Sequence, residues 1–79
     1  MMQGHDASGV SEMIELTLNG KQETLCAGDT IGDLIRRHQL ENRRIAVELN
    51  AEVVPRSRYG EVRLQPGDRI EIVHAIGGG

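Results

Sequence analysis

An Asn19-Gly20 dipeptide between two alternating stretches constrains this chain more than any other feature. Both residues tolerate the positive φ of a type I′ turn, the strongest short-range signal for a β-hairpin. Before it, Ile14, Leu16 and Leu18 alternate with Glu15 and Thr17, the period of a half-buried strand. Lys21 to Cys26 then returns antiparallel, and Ala27-Gly28 breaks the second strand.

A helix is predicted to start at Asp29-Thr30. Thr30 and Asp33 have the spacing of a capping box, with Asp in place of the usual Glu or Gln. Ile31, Leu34 and Ile35 fall on one face at i, i+3 and i+4. Arg36, Arg37 and His38 fill the last turn, where cations complement the helix dipole. At about three turns the helix is too short to stand alone and needs a sheet to lie on.

Ile45, Val47 and Leu49 alternate again and predict a third strand ending at Asn50. Glu52 to Pro55 reads as a short edge segment, because proline is tolerated at sheet edges. Val62 and Leu64 mark another short piece. After the Pro66-Gly67-Asp68 turn, Arg69 to His74 reads as the last strand, with Ile70 and Ile72 inward. The expected fold class is α+β: a mixed four- to five-stranded sheet with one main helix on one face.

Composition narrows function by exclusion. At 79 residues and 8.7 kDa the chain leaves little room for an enclosed catalytic cleft. Its net charge of −3 and single aromatic residue, Tyr59, argue against nucleic acid as a partner. One cysteine excludes an internal disulfide framework. No apolar run suits a membrane span, and no signal-peptide pattern opens the chain, so a reducing cytoplasm is expected. His5, His38 and His74 lack metal-ligand spacing, and no metal site is expected. With no Ser-His-Asp set and no phosphate-cradling glycine loop, the chain is not expected to be an enzyme acting alone. Residues 1–12 lack apolar periodicity and read as a disordered N-terminal lead or a cloning remnant, with Met13 an alternative start. Residues 13–76 form the expected domain, and residues 77–79 a flexible glycine tail.

That tail, Gly77-Gly78-Gly79, is the most informative chemical feature. Glycine has no Cβ, so an extended run can thread a tunnel too narrow for other residues. Three residues hold the terminal carboxylate roughly 10 Å off the folded body. With an ordinary terminal pKa of about 3.5 that carboxylate is ionised and inert until a partner activates it, for example by joining it to AMP. Val73 has the opposite parity to Ile70 and Ile72 and points out of the core, so with Ile76 it forms an expected partner surface beside the tail. Ala75, Gly77, Gly78 and Gly79 complete the expected partner-binding set. Cys26 has no neighbouring base and reads as a structural, half-buried cysteine. His74 reads as a solvated strand-end residue, and Arg36-Arg37 and Arg43-Arg44 as a solvated cationic face.

The chain resembles the ThiS-type sulfur carriers of bacterial thiamine biosynthesis, ubiquitin-like β-grasp proteins. The resemblance rests on Leu18-Asn19-Gly20, Ala27-Gly28-Asp29-Thr30-Ile31, Ala46-Val47-Glu48-Leu49-Asn50, Val53-Val54-Pro55-Arg56, and Pro66-Gly67-Asp68-Arg69-Ile70-Glu71-Ile72 running into Gly78-Gly79. It covers Met13 to Gly79, and its specificity lies in the ordered combination. The resemblance implies a β-grasp fold and a carrier that is a co-substrate of other enzymes. Gly79 would be adenylated by an E1-like (ThiF-type) enzyme using ATP and Mg²⁺, with no cofactor bound to the carrier itself. A persulfide from a cysteine desulfurase relay would convert it to a thiocarboxylate, whose sulfur is delivered at a ThiG-type thiazole synthase. The free carrier is expected to be a monomer.

Three alternatives stay open on the residues alone. The small subunit of molybdopterin synthase also ends in Gly-Gly, although such chains are longer and carry aromatic and proline residues before the tail. A protein modifier would link Gly79 to lysines. A passive β-grasp interaction module would use its sheet face or edge and would not need the glycines.

Overall fold

Leu18 and Lys21 face each other across the Asn19-Gly20 turn, and the pairing continues to Met13 opposite Cys26. Strands β1 (Met13–Leu18) and β2 (Lys21–Cys26) are therefore the expected hairpin. The turn residues have φ of 53° and 83°, the left-handed values for which the Asn-Gly pair is suited. The structure, a computed structural model, describes residues 12–74. Pairing reaches back to Glu12, whose carbonyl accepts from the Ala27 N–H at 3.0 Å.

Helix α1 spans Ile31–Arg37, and its capping box is complete. The Asp33 N–H donates to Thr30 Oγ1 at 3.1 Å, while the Thr30 N–H donates to Asp33 Oδ2 at 2.9 Å. That N–H, with the Thr30 hydroxyl and the Arg36 guanidinium at 2.7 Å, holds the Asp33 carboxyl below its ordinary pKa. At seven residues the helix has about two turns rather than the expected three. It stops because Gln39 is left-handed, φ 60°. The Leu40 N–H closes on the Ile35 carbonyl at 2.9 Å and the Gln39 N–H on Arg36 at 3.0 Å, a Schellman ending made without glycine.

Strand β3 (Ile45–Leu49) turns through Asn50-Ala51, both left-handed, into β4 (Glu52–Val54). A 3-10 turn over Arg56–Arg58 follows, and β5 (Arg69–His74) closes the sheet. The strand order is β2-β1-β5-β3-β4. β5 lies between β1, to which it is parallel, and β3, to which it is antiparallel. This is the mixed five-stranded β-grasp arrangement with a single α-helix among the described residues.

The short piece expected at Val62–Leu64 is not a strand of the sheet. That segment makes one bridge, Thr30 to Arg63, and serves the start of the helix: the Ile31 N–H donates to the Val62 carbonyl at 3.0 Å and the Leu64 N–H to Asp29 at 2.9 Å. Leu64 is buried all the same and joins the core. The core lies between α1 and one face of the sheet, built from Ile31, Leu34 and Ile35 against Ile14, Leu16, Leu25, Val47, Ile70 and Ile72. Burial of each such side chain contributes about 1.5–3 kcal/mol, so register errors that turn them outward are strongly disfavoured.

Candidate functional site

β5 carries the chain toward its end, and both left-handed asparagines hold this strand. On one side, the Ile72 N–H donates to Asn19 Oδ1 at 2.8 Å and Asn19 Nδ2 donates back to the Ile72 carbonyl at 3.3 Å. On the other, the Arg69 N–H donates to Asn50 Oδ1 at 2.9 Å, and the Asn50 N–H donates to the Arg69 carbonyl at 2.7 Å. β1 is in register with β5 only as far as Leu18 opposite Ile70. The Asn19 side chain thus supplies, at Ile72, the backbone-like partner that β1 has run out of.

Val73 faces away from the helix, as its parity predicts, and is 56% exposed. Directly opposite it on β3 is Ala46, also exposed. Val53, 69% exposed, stands on β4 opposite Glu48, which in turn faces Glu71. The open face of the sheet near the tail is therefore Val73, Ala46 and Val53 interrupted by two carboxylates. Like charges directly opposite on paired strands weaken the pairing, and Glu48 and Glu71 have no cation within 4.0 Å among the described residues. Ala46 is a position on this face that sequence reasoning missed, although its parity against Val47 is the signal that places it there.

Of the other expected partner-binding residues, Ala75, Ile76, Gly77, Gly78 and Gly79 lie outside the described residues. His74 is exposed at the end of β5. Cys26 is exposed rather than half-buried. Leu25 takes the inward position, so Cys26 must point to the uncovered face on edge strand β2, opposite Met13. His38 is tied to β2 through Glu23, Nε2 to Oε2 at 2.9 Å. Among the described residues no group of three His, Cys, Asp or Glu could hold a metal ion, and no helix is long and apolar enough to cross a membrane.

On the helix side of the same end lies an open groove of about 420 Å³. Its floor is Ile35, Leu40, Ile45 and Tyr59, and Arg36 and Arg56 stand at its rim with Glu41.

Comparison with known proteins gives this arrangement its family. The family model described as the ThiS family matches residues 11–79, nearly the whole chain and the glycine tail with it. The chain belongs to the ThiS family. It is 48% identical over 65 residues to the sulfur carrier protein ThiS of Bacillus subtilis, covering 81% of this chain and 98% of that one. The crystal structure of the thiamine biosynthesis protein ThiS from Geobacter metallireducens superposes with a TM-score of 0.73 at 29% identity, covering 84% of this chain and all of that one. The chain is also 39% identical over 66 residues to a thiazole synthase of Paramagnetospirillum magneticum, of which it spans only 20%. A ThiS-like segment thus occurs within a longer polypeptide that bears the synthase name. The ThiS-family fold here places β5 centrally, between β1 and β3, rather than at an edge.

Proposed function

We propose that this ThiS-family chain carries sulfur for thiamine biosynthesis as a thiocarboxylate on Gly79. The observation that carries the reading is the family match through Gly79, joined to a near full-length likeness to a sulfur carrier. It acts as a co-substrate in the cytoplasm, consumed and regenerated by other enzymes.

The chemistry runs on the terminal carboxylate. An E1-like adenylating enzyme with ATP and Mg²⁺ joins it to AMP and releases pyrophosphate, which turns an inert acid into an acyl group with a good leaving group. A persulfide from a cysteine desulfurase relay attacks the glycyl carbonyl and expels AMP, leaving an acyl disulfide. A second thiol cleaves the S–S bond, becoming a disulfide with the relay sulfur, and the thiocarboxylate is freed. Sulfur is the softer and stronger nucleophile, and it is then delivered at thiazole synthase. The synthases that contain a ThiS-like segment support that last partner.

The tail has no side chains, so recognition falls to the body of the domain. Val73 and Ala46 on the open face beside the tail are the residues for it. Asn19 and Asn50 hold β5, the strand that precedes the tail in the chain. Growth without thiamine of a strain lacking its own carrier tests the reading. The full chain restores growth and a chain ending at Gly77 does not. Restoration by the truncated chain would point instead to a passive interaction module.

A further inference from the structure

The end of the molecule from which the tail leaves is basic, in a chain whose net charge is −3. Ile45 is opposite His74, so Arg44 and Arg43 come next on the β3 side of the tail's exit. Arg56 reaches the same place from the 3-10 turn: its Nη2 donates to the Arg43 carbonyl at 3.2 Å. Arg43, Arg44 and Arg56 are all exposed, and among the described residues none has a carboxylate within 4.0 Å. By contrast Arg36 is engaged by Asp33 at 2.7 Å and Arg58 by Glu61 at 3.0 Å. Of the three, Arg56 stands at the rim of the groove floored by Leu40, Ile45 and Tyr59, where Glu41 is also found, and Arg44 directly precedes the floor residue Ile45 in the chain.

We infer that Arg43, Arg44 and Arg56 form a cationic collar around the tail's exit that docks on an acidic surface of the adenylating enzyme. The inference rests on the sulfur-carrier reading and names the surface chemistry of its first partner. Two features favour a protein over other polyanions. A net negative chain with one aromatic residue is poorly made for nucleic acid, whereas an acidic segment bearing an aliphatic side chain satisfies both collar and groove. The collar also adjoins the Val73–Ala46 pair, because Ala46 follows Ile45 on the same strand. A negatively charged carrier approaching an acidic docking face gains orientation from such a local basic end.

The test is the rate of ATP-dependent activation against carrier concentration, using a ThiF-type adenylating enzyme shown to be active. At low ionic strength, about 0.01 M, the screening length is about 30 Å and a charge contact is fully expressed. There Arg43→Glu with Arg44→Glu raises KM about tenfold, and kcat stays within about twofold, because the contact orients encounter rather than chemistry. At about 1 M salt, with screening near 3 Å, the two KM values converge. Arg43→Lys with Arg44→Lys remains near wild type. The single change Arg44→Gln, with about a threefold rise in KM, covers the case in which the double reversal fails to fold. A wild-type KM for the charge-reversed chains at low salt overturns the collar and leaves the carrier reading standing. So does a rise that persists undiminished in high salt, or binding of the wild type to phosphatidylglycerol vesicles with KM unmoved. If the wild type is not activated at all, both the carrier reading and the collar's partner fall.

Discussion

The Asn19 side-chain amide grips the backbone of Ile72 at two points, 2.8 and 3.3 Å, across 53 residues of sequence. It makes the first hairpin's turn a brace for the strand that launches the tail. Asn19→Gly keeps the left-handed φ but removes both bonds. It is expected to cost about 1–2 kcal/mol, two modest hydrogen bonds, in urea unfolding. Faster hydrogen exchange at the Ile72 amide should accompany the loss. An Ile72 amide as protected as in wild type would show that the brace is dispensable.

Ala51 sits at φ 73°, a left-handed conformation that costs an alanine about 1–2 kcal/mol. Ala51→Gly relieves that strain at the price of some backbone entropy. A net gain of about 0.5–1 kcal/mol is expected, hence a thermal midpoint several degrees higher. A lower midpoint would mean that the β3–β4 turn is not strained as described.

The hairpin, the capping box and the parity of Ile70, Ile72 and Val73 were all legible in the sequence, because each rests on contacts or periods local in the chain. The Asn19-Gly20 dipeptide announced its turn, yet nothing local announced its grip on Ile72. The parallel pairing of β1 with β5 is likewise a product of tertiary packing. The helix came out a turn short because Gln39 takes the left-handed place that glycine usually marks. Leu64 is buried in the core like a strand residue, yet its segment makes only the single Thr30–Arg63 bridge and no ladder. Cys26, read as half-buried for want of a neighbouring base, is exposed because parity with the inward Leu25 sends it out. The groove and collar unite the helix end, a loop and the 3-10 turn, and no single stretch of sequence displays them.

Asp33 makes stability depend on pH. Its carboxyl titrates below the ordinary value of 3.8 in the folded chain, chiefly because the Thr30 N–H donates to it. The folded state therefore binds the proton less well than the unfolded state. The contribution is fully present above the unfolded pKa and is lost as pH falls through the lowered folded one. Wild type is expected to be more stable than Asp33→Ala at pH 7, with the gap narrowing below about pH 4 in urea titrations. A gap that is constant down to pH 2 would contradict the assignment.

Val73 separates docking from folding. Val73→Asp exchanges an exposed apolar side chain for a poor strand former, so the loss of stability should stay within about 1 kcal/mol. Activation by the adenylating enzyme should nonetheless need about tenfold more carrier, the scale of losing a buried interface contact. An unchanged KM would remove the open face beside the tail from the recognition surface.

The central claim concerns one atom at the end of the chain. Intact-protein mass spectrometry after incubation with an active ThiF-type enzyme, ATP, Mg²⁺ and a persulfide donor reads it directly. The mass should rise by the difference between sulfur and oxygen, with the change confined to the peptide ending in Gly79. A mass that stays at the starting value, with the enzyme demonstrably turning over another carrier, would contradict the account.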